Sequence, residues 1–306
     1  MYESHFGLDR APFSITPDTA FTYSSQAQRD ALNTLLIATD GGEGFIKITG
    51  EVGSGKTLLC RRFLAQLAGA NGSRRRYRTA YIPNPCLSPR TLLLAIAHEL
   101  KVKIPDPESQ LSILESLSKA LLRFAARNER VVVCLDEAQA MPVETLESLR
   151  LVSNLETEQR KLIQIVLFGQ RELDQLIAGD NLRQLRSRIA FSYRLDRLSP
   201  TETVAYLQHR LTVAGWRGAA LMEIEAARLI HRGARGLPRL INILAHKSLL
   251  AAYGQGASSV TAAHVRVACE DTPMAGAGAR FASLVYRSLA FLRLRRTQIA
   301  AHANGG

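Results

Sequence analysis

The 306-residue sequence is short of the features that would place it in a membrane, a disulfide framework or a zinc module. Its longest uninterrupted apolar runs, such as Leu92 to Ala97, fall far below the length that spans a bilayer. The start, Met1-Tyr2-Glu3-Ser4-His5-Phe6, has neither a basic n-region nor an apolar h-region, so no signal peptide is expected. Four cysteines, Cys60, Cys86, Cys134 and Cys269, are scattered with no Cys-x-x-Cys pair, which predicts free thiols in a reducing compartment. Acid is scarce: 27 Asp and Glu face 39 Lys and Arg, for a net charge of +12. That excess suits nucleic acid, anionic lipid or an acidic protein, and the total does not choose among them. The 46% hydrophobic and 22% charged content is that of a globular chain, long enough for one large domain and a small one.

What is present centres on Gly50-Glu51-Val52-Gly53-Ser54-Gly55-Lys56-Thr57, which fits the spacing G-x-x-x-x-G-K-[ST]. A β-branched stretch, Phe45 to Thr49, precedes it, and Leu58 to Leu64 follows with apolar residues at helical spacing. Strand, glycine loop and helix are the context in which backbone N–H groups turn inward and a helix N-terminus adds partial positive charge. Such a nest holds phosphates. Lys56 is placed to reach the β/γ-phosphates, and the Thr57 hydroxyl to ligate Mg²⁺, so ATP with Mg²⁺ is the expected ligand.

A second part of the site follows at Val131-Val132-Val133-Cys134-Leu135-Asp136-Glu137. A continuous apolar run ending in two acids reads as a central parallel strand delivering carboxylates at its C-terminal edge. Asp136 is expected in the Mg²⁺ shell and Glu137 as the general base for water. A further strand, Leu162 to Gly169, puts the Gln170 amide at the same edge, within reach of the γ-phosphate or the attacking water. Strands are also expected at Thr79–Ile82 and Ile189–Leu195, and Arg183, Arg186 and Arg188 on a helix before the last strand.

The expected organisation is an N-terminal wrap and helix over 1–44, a P-loop α/β domain over 45–197, a helical lid over 198–270 and a basic tail over 271–306. Residues before the first strand either cover the nucleotide base or pack on the sheet. The run Arg74-Arg75-Arg76-Tyr77-Arg78 is either a grip on a phosphate backbone or a solvated turn. From Ser199, an N-cap with Pro200 at N1, the pattern is wholly helical, and Gly236-Leu237-Pro238-Arg239 starts one of its helices. The tail holds five arginines and no acid from residue 280 on, which suits either an amphipathic helix on a membrane surface or a helix packed on the lid.

This ordered set resembles the AAA+ ATPases: a P-loop α/β domain with a five-stranded parallel sheet flanked by helices, and a C-terminal helical lid. Within them Tyr2 through Phe6-Gly7-Leu8, Pro12-Phe13, Thr16-Pro17-Asp18, Asp136-Glu137-Ala138-Gln139, Phe168-Gly169-Gln170 and Gly236 to Asn242 look like the ExeA/GspA group, including its MSHA-type pilus ATPases. The resemblance implies nucleotide contact from Gly50 through Leu58, with Gln170 as sensor 1, Arg239 as sensor 2 touching nucleotide, and Arg188 as a finger supplied in trans, Arg186 and Arg183 being runners-up. It implies a homo-oligomer, cytoplasmic or peripheral on the inner membrane, partnered by pilus or secretion components. The group's membrane span and periplasmic peptidoglycan-binding part are not expected in this chain. The alternative is a DNA-acting AAA+ ATPase of transposition-regulator type; no separate helix-turn-helix remains once the lid is assigned.

Overall fold

The computed structural model describes residues 2–14, 19–69, 76–105, 109–156 and 161–275. Arg74, Arg75, the segment Thr16-Pro17-Asp18 and the basic run from Arg280 lie outside them. In chain order the elements are α1 (Tyr2–His5), α2 (Gln26–Gly41), β1 (Phe45–Gly50), α3 (Lys56–Gly69), β2 (Arg76–Ile82), α4 (Pro89–Glu99), α5 (Gln110–Ala126) and β3 (Glu129–Leu135). They continue with α6 (Val143–Ser153), β4 (Ile163–Gly169), α7 (Arg171–Ala178), α8 (Arg183–Arg186), β5 (Ile189–Leu195), α9 (Pro200–Val213), α10 (Ile224–Ala234), α11 (Pro238–Gly254) and α12 (Ala262–Glu270). The chain divides into two compact units, one of residues Gln26–Asp196 and one of residues up to Ser25 with those from Arg197 onward.

The first unit holds one sheet of five parallel strands in the order β2-β3-β4-β1-β5. Period-two alternation sends successive residues to opposite faces, and both faces are covered by helices. Val131, Val133, Ile163, Ile165 and Leu167 pack with Leu92, Ile96, Ile113, Leu117 and Leu149 of α4, α5 and α6. On the other face Ile46, Ile48, Val132, Cys134, Val166 and Phe168 meet Leu35, Leu59, Phe63 and Leu67 of α2 and α3. This two-sided burial explains why Val131 to Leu135 reads as an unbroken apolar run, with each residue at 1% exposure or less. Three cysteines, Cys60, Cys134 and Cys269, are buried free thiols, and Cys86 is an exposed one.

Two local features differ from the sequence reading. β2 begins at Arg76, not Thr79, because it is the edge strand of the sheet, where basic side chains are tolerated. Arg78 pairs with Glu129 on β3 and lies over the Phe124 ring at 4.3 Å, so its charge is satisfied within the unit. Arg188 stands outside α8, which closes at Arg186, because the chain must become extended to pair Ile189 with Phe45.

The second unit is the helical one. Ser199 accepts from the Glu202 N–H at 3.2 Å while the Glu202 carboxylate accepts from the Ser199 N–H at 2.9 Å, a capping box that starts α9 with Pro200 at its first position. Its core takes Leu207, Leu211, Ile230, Ile241, Leu244 and Leu249 from α9 to α11, together with Tyr2, Phe6, Leu8, Phe13 and Phe21 from the N-terminal arm. Arg210 binds the arm: its Nε donates to Pro12 O at 2.6 Å, and its guanidinium lies over Phe21 at 4.8 Å. The Tyr206 hydroxyl accepts from Arg210 at 3.0 Å and donates to Asn242 at 2.8 Å. The arm expected over sheet or base thus has its buried aromatics in the core of the helical unit.

Candidate nucleotide site

Parallel strands place their C-terminal ends on one edge of the sheet. β1 ends in the glycine loop, β3 in Asp136-Glu137 and β4 in Gln170, and β4 lies between the other two strands. Three sequence-distant segments therefore converge by topology alone.

The loop has the form a phosphate cradle requires. Gly53 and Gly55 have φ of +78° and +98°, a region closed to most side chains. A Cβ on Gly50 would come within 2.8 Å of Ser54 Oγ. Lys56 is 5% exposed, and its ammonium donates to the carbonyls of Gly50 at 3.0 Å and Glu51 at 2.9 Å, curling back over the loop. Burial pulls the Lys56 pKa below its ordinary value, against the opposing carboxylates of Glu137, Asp136, Glu172 and Glu51. Ser54 Oγ is buried and has no hydrogen-bond partner among the described residues, an orphan polar atom inside the cradle. Inward backbone, one cation and an unsatisfied hydroxyl fit a polyphosphate.

Beside the cradle, the Thr57 hydroxyl donates to Asp136 Oδ2 at 2.7 Å. The same oxygen accepts from the Tyr81 hydroxyl at 3.3 Å, and Oδ1 accepts from the Glu137 N–H at 3.0 Å. Asp136, 2% exposed, is thus oriented by three donors from three segments. A hydroxyl oxygen and a carboxylate form a hard donor set suited to Mg²⁺, which takes few protein ligands and completes its shell with phosphate and water. Among the described residues no group of three or more His, Cys, Asp or Glu offers an all-protein metal cage.

Glu137 sits in the left-handed region at φ 56°, ψ 38°, unusual for a side-chain-bearing residue and typical of functional positions. Its Oε2 accepts from Gln139 Nε2 at 2.6 Å and from Gln170 Nε2 at 3.0 Å. Burial pushes its pKa up, but the two donated hydrogen bonds and the Lys56 charge outweigh that and hold it below the usual carboxylate range. Arg171, next to Gln170, pairs with Glu51 of the loop at 2.8 Å, linking the loop to the start of α7.

The structure brings Lys56, Thr57, Asp136, Glu137 and Gln170 together. Val52 lies on the loop with 52% of its surface exposed. Leu58 follows on the first turn of α3. Arg188, half-buried, donates to Ser153 Oγ at 3.2 Å on α6, and Arg186 donates to Ala178 O at 2.8 Å. Arg239 is exposed in the first turn of α11, in the helical unit. Two contributors were not singled out from sequence, Tyr81 and Gln139. Tyr81 carries no motif; Gln139 had a signal in its place two residues after the acid pair.

Residues 39–177 match the family model described as AAA domain. This chain carries a P-loop ATPase domain of the AAA class. The chain is 39% identical over 272 residues to General secretion pathway protein A of Aeromonas hydrophila, an alignment covering 89% of this chain and 48% of that protein. It therefore spans about half the length of that relative. Among solved structures it is similar to the Aeropyrum pernix ORC2 protein in its ADPNP-ADP complexes, with a TM-score of 0.64, 21% identity and coverage of 86% of this chain and 71% of that one. The Aeropyrum pernix ORC1 protein in complex with DNA gives a TM-score of 0.61 at 20% identity, covering 86% and 69%. At such identities these two establish that the AAA fold is shared.

Proposed function

We propose that this chain is the ATP-hydrolysing portion of an oligomeric AAA motor that drives assembly or remodelling of a general secretion system or a type IV-like, MSHA-type pilus at the inner membrane, acting from the cytoplasmic side. The observation that carries the ATPase part is the convergence of Thr57 and Asp136 at 2.7 Å beside a glycine cradle, with Glu137 and Gln170 bonded to each other at the same strand edge. The secretion part rests on the 39% identity to General secretion pathway protein A.

In this reading the loop amides from Gly50 through Leu58 and the Lys56 ammonium hold the phosphates. Lys56 exchanges its bonds to the Gly50 and Glu51 carbonyls for phosphate oxygens. Thr57 and Asp136 hold Mg²⁺, which when bound neutralises developing charge on the phosphates. Glu137, kept anionic, takes a proton from the attacking water, and the Gln170 amide orients that water and the γ-phosphate. Arg239 serves as a nucleotide-state sensor, the role that the family resemblance gives it. Arg188 acts across a subunit boundary, leaving Ser153 to do so; a trans arginine of this kind is worth roughly 10³ to 10⁵ in rate.

ATPase rates with and without anionic phosphatidylglycerol vesicles or double-stranded DNA test this reading. It predicts stimulation by vesicles and not by DNA, lost in Arg188→Ala. Stimulation by DNA with a steep salt dependence would overturn it in favour of a nucleic-acid motor.

A further inference from the structure

A side chain outside the P-loop and the acid pair links the two halves of the hydrolytic centre. Gln139, in the short turn Ala138–Ala140 after β3, donates through Nε2 to Glu137 Oε2 at 2.6 Å. Its Oε1 accepts from the backbone N–H of Gln170 at 3.0 Å. The Gln170 side chain returns to the same Glu137 oxygen at 3.0 Å, closing a ring of three hydrogen bonds through three residues. The sense of the Gln139 amide follows from the chemistry: a backbone N–H only donates, so the atom facing Gln170 is oxygen, and the nitrogen faces the carboxylate.

Room for this ring is made by Gly169. A Cβ there would lie 3.2 Å from Gln139 Oε1 and 2.6 Å from Leu173 Cδ2, so a larger residue would push the amide away from the end of β4. The ring also accounts for how Glu137 is kept in its left-handed backbone conformation, which is strained for a residue with a side chain and persists only where neighbours over-determine it. With Oε2 occupied by two amides, Glu137 Oε1 has no hydrogen bond among the described residues and is the oxygen left to face water.

We infer that Gln139 is a positioning residue for hydrolysis: it fixes which carboxylate oxygen Glu137 presents and ties that orientation to the end of β4, so that a shift of Gln170 on meeting the γ-phosphate is transmitted to Glu137. The inference rests on Glu137 being the base. Among the described residues the Gln139 side chain hydrogen-bonds to Glu137 and Gln170 and not to the loop or the Thr57–Asp136 pair, so it governs turnover and not nucleotide affinity.

The test uses the full chain and compares Gln139→Ala, Gln139→Glu and Glu137→Gln, with and without Gln139→Ala, in ATP hydrolysis corrected for active-site content and in equilibrium binding of a non-hydrolysable ATP analogue with Mg²⁺. Gln139→Ala is expected to lower kcat roughly tenfold or more, inside the range a positioned base supplies, with analogue affinity changed less than about twofold, well under a factor-of-ten step. Gln139→Glu keeps the acceptor for the Gln170 N–H and loses the donor to Glu137. It is expected to be at least as slow as the alanine variant. In the Glu137→Gln background Gln139→Ala should cause no further loss. Wild-type turnover in Gln139→Glu would show that the side chain only supports the start of α7 and would overturn the inference. A further multiplicative loss on top of Glu137→Gln would overturn it too. Unimpaired hydrolysis by Glu137→Gln alone would instead remove the assignment of the base, and the inference with it.

Discussion

The Thr57 hydroxyl donates to Asp136 Oδ2 at 2.7 Å across 79 residues of sequence, joining the first turn of α3 to the end of β3. This contact assembles the edge of the site proposed to hold Mg²⁺. Its geometry needs both strands in register, since β4 lies between β1 and β3 and pairs with each.

Thr57→Ala removes the donor to Asp136 and, with it, the hydroxyl oxygen proposed to hold Mg²⁺. ATP hydrolysis at saturating Mg²⁺ is expected to fall by roughly tenfold or more, and the Mg²⁺ titration midpoint to move to higher concentration. Tyr81→Phe removes the longer of the two hydroxyl bonds to the same oxygen, at 3.3 Å, and should shift the midpoint in the same direction by less. A Mg²⁺ titration of the three proteins checks the order.

Gly55→Ala tests the loop backbone. At φ +98° an L side chain is strained, whereas the atom its Cβ would meet, Gln28 Nε2 at 2.8 Å, is the end of a side chain that turns aside. The cost is therefore conformational, about 1–3 kcal/mol, and ATP affinity should fall with it. Thermal melting with and without Mg-ATP reads both, and a variant that melts and binds as wild type would contradict the cradle geometry.

Arg210→Ala tests the join between the N-terminal arm and the helical unit. The substitution deletes bonds to Pro12 O and Tyr206 Oη and the contact with Phe21. Buried charge-assisted bonds of this kind are worth about 1.5–3 kcal/mol each before relaxation. Denaturant unfolding should show a loss of about 2–4 kcal/mol, and limited trypsin digestion should cut earlier at Arg10, which lies over Phe21 at 4.6 Å.

The Arg78–Glu129 pair predicts a pH dependence. The hydrogen bond from Arg78 holds the Glu129 pKa below its ordinary value. A carboxylate with a depressed folded-state pKa contributes stability that is fully present above the unfolded pKa and is lost as pH falls through the folded one. Arg78→Met should therefore lower stability at neutral pH and raise the pH of acid unfolding, while flattening the loss of stability below the ordinary glutamate range. Urea midpoints measured from pH 3 to pH 7 check it.

The P-loop and the Asp136-Glu137 pair are legible in the sequence because their chemistry resides in local spacing, and Gln170 because it ends a buried strand. Tyr81 carries no such signal, and Gln139 shows only its place after the acid pair and not its role, since each gains that role only when β2, β3 and β4 bring their ends together. The basic start of β2 resembled a turn because an edge strand need not alternate apolar and polar residues. Likewise Phe6, Phe13 and Phe21 declare by their hydrophobicity that they are buried, but not in which core; that is decided by Arg210 and Tyr206, nearly two hundred residues on. Arg188 left its expected helix because strand pairing at Ile189 outweighed local helical preference.

Single-turnover hydrolysis of Mg-ATP by the wild-type chain and by Glu137→Gln tests the central claim most directly. The account predicts that the wild type converts bound ATP to ADP and phosphate, while the variant binds ATP and retains it uncleaved. A variant that cleaves ATP at the wild-type rate would contradict the assignment of this edge of the sheet as the hydrolytic centre.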